Sequence, residues 1–179
     1  MEQVKKIGLL GGSFNPPHLG HIQICKFVFE QNLCDEIWIV PCFEHPFGKL
    51  LAHFEERIKM CRLAFEDFGE NVKVLELEKK LGGTSHTVRT IEHIKLQHPD
   101  VKFGLIVGSD ISEEKDDWKD FARIEELVDI VEIPRGKNSP IIDISSTEIR
   151  DLIKSDKQFD QYVTSSVANY ISENSLYKD

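Results

Sequence analysis

Short, nearly unbroken apolar runs alternate along this chain with longer stretches whose apolar residues recur every three or four positions. Runs of the first kind, at residues 4–10, 36–40, 72–77, 102–107 and 128–133, read as strands covered on both faces, with Pro41 stopping the second. Stretches of the second kind read as amphipathic helices. One begins at Leu19 and sets Ile22, Cys25, Phe29 and Leu33 on one face, and another at 54–65 does so with Phe54, Ile58, Cys61 and Phe65. Further helices are expected at 87–97, in a polar stretch around Trp118, and near 147–154 and 159–173. Alternation of this kind predicts an α/β fold, a three-layer sandwich whose mostly parallel central sheet has five to six strands, closed by C-terminal helices.

Composition narrows the class. With 179 residues, 40% of them hydrophobic and 30% charged, the chain is sized for one domain, taken as 1–179, and no composition shift marks a linker. No apolar run reaches the length a membrane span needs, and the first residues lack the pattern of a secretory signal, so the expected compartment is the cytoplasm and no membrane is expected as a partner. Cys25, Cys34, Cys42 and Cys61 form no C-x-x-C pair and sit within apolar patterns, which suggests reduced, mostly buried thiols. A net charge of −9 argues against a nucleic-acid partner gripped by phosphate neutralisation. An anionic ligand would need a focused local site. Assembly into a homo-oligomer stays open.

Parallel sheets of this kind bind ligands beyond the carboxyl ends of their strands, which directs attention to the loops there. The first such loop, residues 11–21, reads GGSFNPPHLGH and leads from a strand into a helix, where free N–H groups and the helix dipole favour an anion. Gly11 and Gly12 permit close approach or positive φ, and Pro16 and Pro17 stiffen the turn. His18 and His21, three apart at a helix start, share a face, and Gly20 between them removes a side chain that would obstruct a ligand. Both imidazoles can address one phosphate, although two capping histidines would produce the same spacing.

A second candidate lies at residues 144–150, ISSTEIR. Ser145, Ser146 and Thr147 stand before a helix, and Arg150 lies three residues beyond Thr147, a set suited to a polyphosphate. Taken alone, Ser146 is equally an ordinary N-cap.

Together the two segments resemble the paired signatures of the nucleotidyltransferases that share an H-x-G-H motif, and most closely those of bacterial nicotinate mononucleotide adenylyltransferases. The resemblance runs from Lys6 to Tyr177. It implies a Rossmann-like fold and transfer of the adenylyl group of ATP to a pyridine mononucleotide, with Mg²⁺ carried by ATP and no metal ligated by a dedicated protein site. His18, His21 and Arg150 would be catalytic, and Gly11, Gly12, Ser13, Phe14, Gly20, Ser145, Ser146 and Thr147 would bind ATP. The G-T-S-H-T segment at 83–87 is similar to that family's acceptor loop, with His86 in place of its tyrosine, and Gly108, Asp110 and Trp118 match its G-x-D and tryptophan pair.

The acceptor set implied is thus Asn15, Lys49, Thr84, Ser85, His86, Thr87, Gly108, Asp110 and Trp118. Helix capping explains Thr84, Ser85 and Thr87 as well, and Trp118 is equally a core residue. Val167, Tyr170, Ile171, Leu176 and Tyr177 match a C-terminal pattern read as packing. The loop at 41–49 and the short stretch between Arg135 and Ile144 depart from the family pattern. Nicotinate and nicotinamide forms of the acceptor, a phosphopantetheine acceptor and a non-catalytic nucleotide-binding module remain alternatives. A dehydrogenase is disfavoured, because no G-x-G-x-x-G follows the first strand.

Overall fold

The computed structural model describes residues 5–136 and 139–178. Val4 of the first expected strand, and Lys137 and Asn138 of the loop at 135–140, lie outside the described residues. In chain order the elements are β1 (Lys6–Gly12), α1 (Leu19–Glu30), β2 (Glu36–Pro41), α2 (Phe54–Ala64), β3 (Val72–Val74), α3 (Leu77–Leu81) and α4 (Thr87–Gln97). Then come β4 (Lys102–Gly108), α5 (Ile111–Glu114), α6 (Phe121–Leu127), β5 (Asp129–Ile133), α7 (Ser146–Lys154) and α8 (Ser165–Glu173).

All five strands are parallel, in the order β3-β2-β1-β4-β5. Alternate residues of each strand feed two separate cores. Ile37, Ile39 and Ile106 pack with α1, α2, α7 and α8 on one face, whereas Ile7, Leu9, Trp38, Phe103 and Leu105 pack with α4 and α6 on the other. This gives the three layers. The chain builds one half of the sheet outward from β1, then returns to place β4 beside β1 on its other side. Strand order reverses between those two neighbours, so a crevice opens beyond Gly12 and Gly108, where no crossover helix can cover the sheet.

Several expected boundaries move. Gly11 and Gly12 lie inside β1 with ordinary φ, and the left-handed conformation falls on Phe14 at φ 46°. Pro41 is the last residue of β2, a position where a missing N–H costs little. The strand expected at 72–77 ends at Val74, because Leu77 opens the short helix α3. The polar helix around Trp118 is two short helices, with Trp118 between them. The helix expected from Phe159 begins at Ser165, preceded by a 3-10 turn at Asp160–Tyr162; Thr164 caps it, its hydroxyl oxygen accepting from the Val167 N–H. Cys25, Cys34 and Cys61 are buried and all four cysteines are free.

Candidate active site

Two cavities open beyond the strand ends and share Ser13 on their walls. The first, about 360 Å³, lies over β1 and is walled by Gly11, Gly12, Ser85, His86, Thr87 and Trp118, with Glu78 and Thr90 also on its wall. The second, about 400 Å³, is polar and holds His18, His21, Asp110, Arg135 and Arg150 together with Ser145, Ser146 and Thr147. Residues some 130 positions apart in the chain thus face one space.

The histidine pair is built by the start of α1. His18 is the N-cap residue in extended conformation, and its backbone N–H donates to His21 Nδ1 at 3.1 Å. The neutral His21 ring therefore carries its proton on Nε2. The ring centroids are 3.8 Å apart. Burial depresses the His18 pKa from 6.5 to about 4, Arg135 adding to the drop and Glu148 opposing it. Burial, then His18, then Arg135 hold His21 well below its ordinary value. At neutral pH both rings are uncharged hydrogen-bonding groups. His18 Nδ1 is buried and has no partner among the described residues.

Gly20 lies on the wall of the second cavity, and its missing side chain also serves the histidine pair. A Cβ there would come within 3.0 Å of His18 Cε1 and Nδ1, so the glycine makes room for the imidazole itself.

The second segment docks onto the first. Ser145, not Ser146, is the N-cap of α7: its Oγ accepts from the Glu148 N–H at 3.2 Å, and the Glu148 carboxylate accepts from the Ser145 N–H at 2.8 Å. Ser146 is thereby freed to donate its hydroxyl to Pro16 O at 2.7 Å. Arg150 donates to Asn15 O at 2.7 Å and to Thr147 Oγ1 at 3.2 Å. Three bonds therefore clasp or orient the joint between the segments.

Other expected residues fall in different places: Gly11 and Gly12, expected to bind ATP, line the first cavity and not the one that holds the histidines. Phe14 is only 1% exposed, with its ring against His21 and Phe65, so its side chain supports the histidine rather than the cavity wall. Asn15 is equally buried; its Oδ1 accepts from the Ala52 N–H and from the Tyr177 hydroxyl, both at 3.0 Å. It orders loops, and Tyr177, expected only to pack, reaches the site through it. Lys49 and Asp110 line the second cavity, not the one beside Trp118. Gly108 lies on neither wall: a Cβ there would fall 2.2 Å from Asp110 Oδ1 and 3.0 Å from Arg135 Nε, so its absent side chain admits those two groups.

Thr84 is exposed, lies on neither wall and pairs with Glu44, while Ser85 Oγ accepts from the Phe43 N–H at 2.8 Å. His86 is the N-cap of α4 and, with Thr87, lines the first cavity. Trp118 stands half-buried on that wall, edge-on to Phe121.

Two residues outside the expected site set also shape the cavities. Arg57 is 1% exposed and donates to the carbonyls of Ala52 (3.0 Å), Ser13 (2.9 Å) and Phe43 (3.3 Å), binding together three loop segments around both cavities. Arg135 lines the second cavity close enough to bias both histidines. Its signal in the sequence was the Arg135-Gly136 pair just past the fifth strand, which resembles the family's R-P-G element.

A parallel sheet with its switch beside β1, a histidine pair at the first helix and a basic second cavity define a nucleotidyltransferase. Comparison with known proteins is specific on this point: the Cytidylyltransferase-like family model matches residues 9–152, and the chain belongs to that family. Relatives named "Probable nicotinate-nucleotide adenylyltransferase" include one from Myxococcus xanthus, 35% identical over 99% of this chain and 97% of its own length. Another, from Anaeromyxobacter dehalogenans, is 38% identical over 97% of each. The fold is matched by the Plasmodium falciparum nicotinic acid mononucleotide adenylyltransferase complexed with NaAD, at TM-score 0.80, 22% identity and 97% coverage of each chain. No helix among the described residues is long and apolar enough to cross a membrane.

Proposed function

We propose that the protein joins the adenylyl group of ATP to nicotinate mononucleotide, forming deamido-NAD and pyrophosphate in NAD biosynthesis in the cytoplasm. The observation that carries this reading is the pair of cavities meeting at Ser13, one basic and bearing both histidines, the other flanked by Trp118. The names of the full-length relatives favour nicotinate mononucleotide as the acceptor.

The acceptor's pyridine ring would lie against Trp118, an aromatic face suited to an electron-poor ring, with its 5′-phosphate toward Ser13. ATP would occupy the second cavity, its β- and γ-phosphates meeting Arg150, Thr147 and the amides that open α7. The acceptor phosphate then attacks the α-phosphorus in line, and pyrophosphate departs. No protein nucleophile is required.

Neutral His21 presents an Nε2–H donor, and His18 lies 3.8 Å from it, centroid to centroid. Both stabilise the charge that builds on the oxygens around phosphorus, assisted by Arg135. Asp110 and Asp143 line the same cavity and suit a divalent cation such as Mg²⁺ arriving on the triphosphate, where it would neutralise phosphate charge.

The test is pyrophosphate release from ATP and Mg²⁺ with nicotinate mononucleotide, nicotinamide mononucleotide or phosphopantetheine. The highest kcat/KM is expected with nicotinate mononucleotide. No release with that acceptor would overturn the proposal.

A further inference from the structure

The wall of the Trp118 cavity includes a carboxylate that neither the motifs nor the mechanism above uses. Glu78, in α3, is 4% exposed. Its Oε1 accepts the hydroxyl of Thr90, another residue of that wall. Its Oε2 has no hydrogen-bond partner among the described residues. Arg89, adjacent to Thr90 in the chain, sends its guanidinium to Gly82 O at 2.7 Å and makes no ion pair with Glu78.

An ionised carboxylate accepts hydrogen bonds and donates none, and leaving one of its oxygens buried and unpaired is costly. Such an oxygen beside a cavity is satisfied by a ligand that brings a donor. The carboxylate also excludes a bare anionic group from its immediate surroundings. Two parts of the ligand are thereby ruled out as its partner: the phosphate, which belongs at the Ser13 end, and a ring carboxylate, which has no proton to give at neutral pH. A mononucleotide has one remaining set of neutral donors near its middle, the ribose hydroxyls. Glu78 shares its wall with Gly11, Gly12, Thr90 and Trp118.

From this we infer that Glu78 is a specificity residue that holds the acceptor by accepting a hydrogen bond from a ribose hydroxyl. The inference rests on the proposed acceptor. Thr90 acts through Glu78 as a positioning residue, fixing the carboxylate by occupying one oxygen.

Glu78→Gln keeps the shape of the side chain and an oxygen for Thr90 but removes the charge from the contact. Steady-state kinetics should show the KM for nicotinate mononucleotide rising about tenfold, the KM for ATP unchanged and kcat within a factor of about three, as expected for loss of a charge-assisted bond made equally before and during reaction. The KM for nicotinamide mononucleotide should rise by a similar factor, since both acceptors carry the same ribose. With 2′-deoxy and 3′-deoxy forms of nicotinate mononucleotide, one analogue should bind the wild type more weakly yet lose nothing further in Glu78→Gln.

A KM that rises only for nicotinamide mononucleotide would assign the contact to the carboxamide and overturn the inference. So would unchanged acceptor KM in a variant whose thermal midpoint matches the wild type. A wild type inactive with nicotinate mononucleotide would instead fail the functional proposal itself, which separates the two failures.

Discussion

Replacing His18 by asparagine while varying pH reads the state of the histidine pair directly. Asparagine is a favoured N-cap, so the start of α1 keeps its cap and the substitution removes chiefly the titrating ring. In the folded protein burial holds His18 at about 4, against 6.5 in an ordinary setting. A base whose folded pKa is depressed takes up a proton more readily when unfolded, so stability is intact above 6.5 and is lost as pH falls toward 4. Integrated over that window, the His18 contribution falls by about 2 kcal/mol between pH 7 and pH 5 and by about 3 kcal/mol at pH 4.

Urea unfolding of the wild type and of His18→Asn at several pH values gives the difference curve. Burial, the largest cause of the low His21 pKa, acts in both proteins, so most of the His21 contribution cancels and only the smaller effect of the His18 charge is lost with the substitution. Glu36 does not intrude: burial raises its pKa, but hydrogen bonds from Lys5, Lys73 and Trp38 outweigh that and set it at about 2. Its stability is lost only as pH falls below about 4.5. A wild-type advantage that shrinks by about 2 kcal/mol from pH 7 to pH 5 is expected. A flat difference across that range would refute the claim that His18 is buried and neutral.

Two substitutions test the frame around the pair. Gly20→Ala puts a methyl group 3.0 Å from two His18 ring atoms, so kcat should fall about 10- to 100-fold with little change in either KM, and an unchanged kcat would show that the ring's placement does not matter. Arg57→Met keeps bulk but leaves three part-buried carbonyls without their donor; unfolding in urea should show a loss of about 2–4 kcal/mol, and a change below about 0.5 kcal/mol would remove Arg57 from the list of loop organisers.

Much of the fold was legible because the strands lie in a doubly covered sheet. Ile37, Trp38 and Ile39 must be apolar on both faces, which writes a continuous run into the sequence. What failed to show were features set by length and by tertiary contact. The run at 72–77 is apolar enough for a strand, but β3 pairs with β2 over only three residues at the sheet edge, and after the Leu75 N–H reaches Ile39 O the chain turns into α3 at Leu77. The late start of α8 follows from the Thr164 cap, a local hydrogen bond that apolar spacing does not encode.

At the site, spacing brought His18 and His21 together because one helix start fixes their geometry, and it brought Ser146, Thr147 and Arg150 together for the same reason. It did not separate residues that touch ligand space from residues that hold such residues in place. Asn15, Phe14 and Gly20 belong to the motif as firmly as His18, yet their side chains, or the lack of one, serve the loop and the imidazoles. A motif records every position the arrangement constrains, whether the constraint acts through a substrate or through a neighbouring ring.

Arg57 shows the converse: its bonds run to carbonyls of Ser13, Phe43 and Ala52, groups every residue possesses, so no partner in the sequence announces them. The same holds for the clasp from Ser146 to Pro16 and from Arg150 to Asn15, both made to backbone oxygen. Backbone acceptors let distant segments be joined with few constraints on side-chain identity. They also hold the loop that carries the buried histidine pair. Its donors come from α2 and α7, and among the described residues the imidazoles make no structural hydrogen bond except the one that fixes the His21 tautomer.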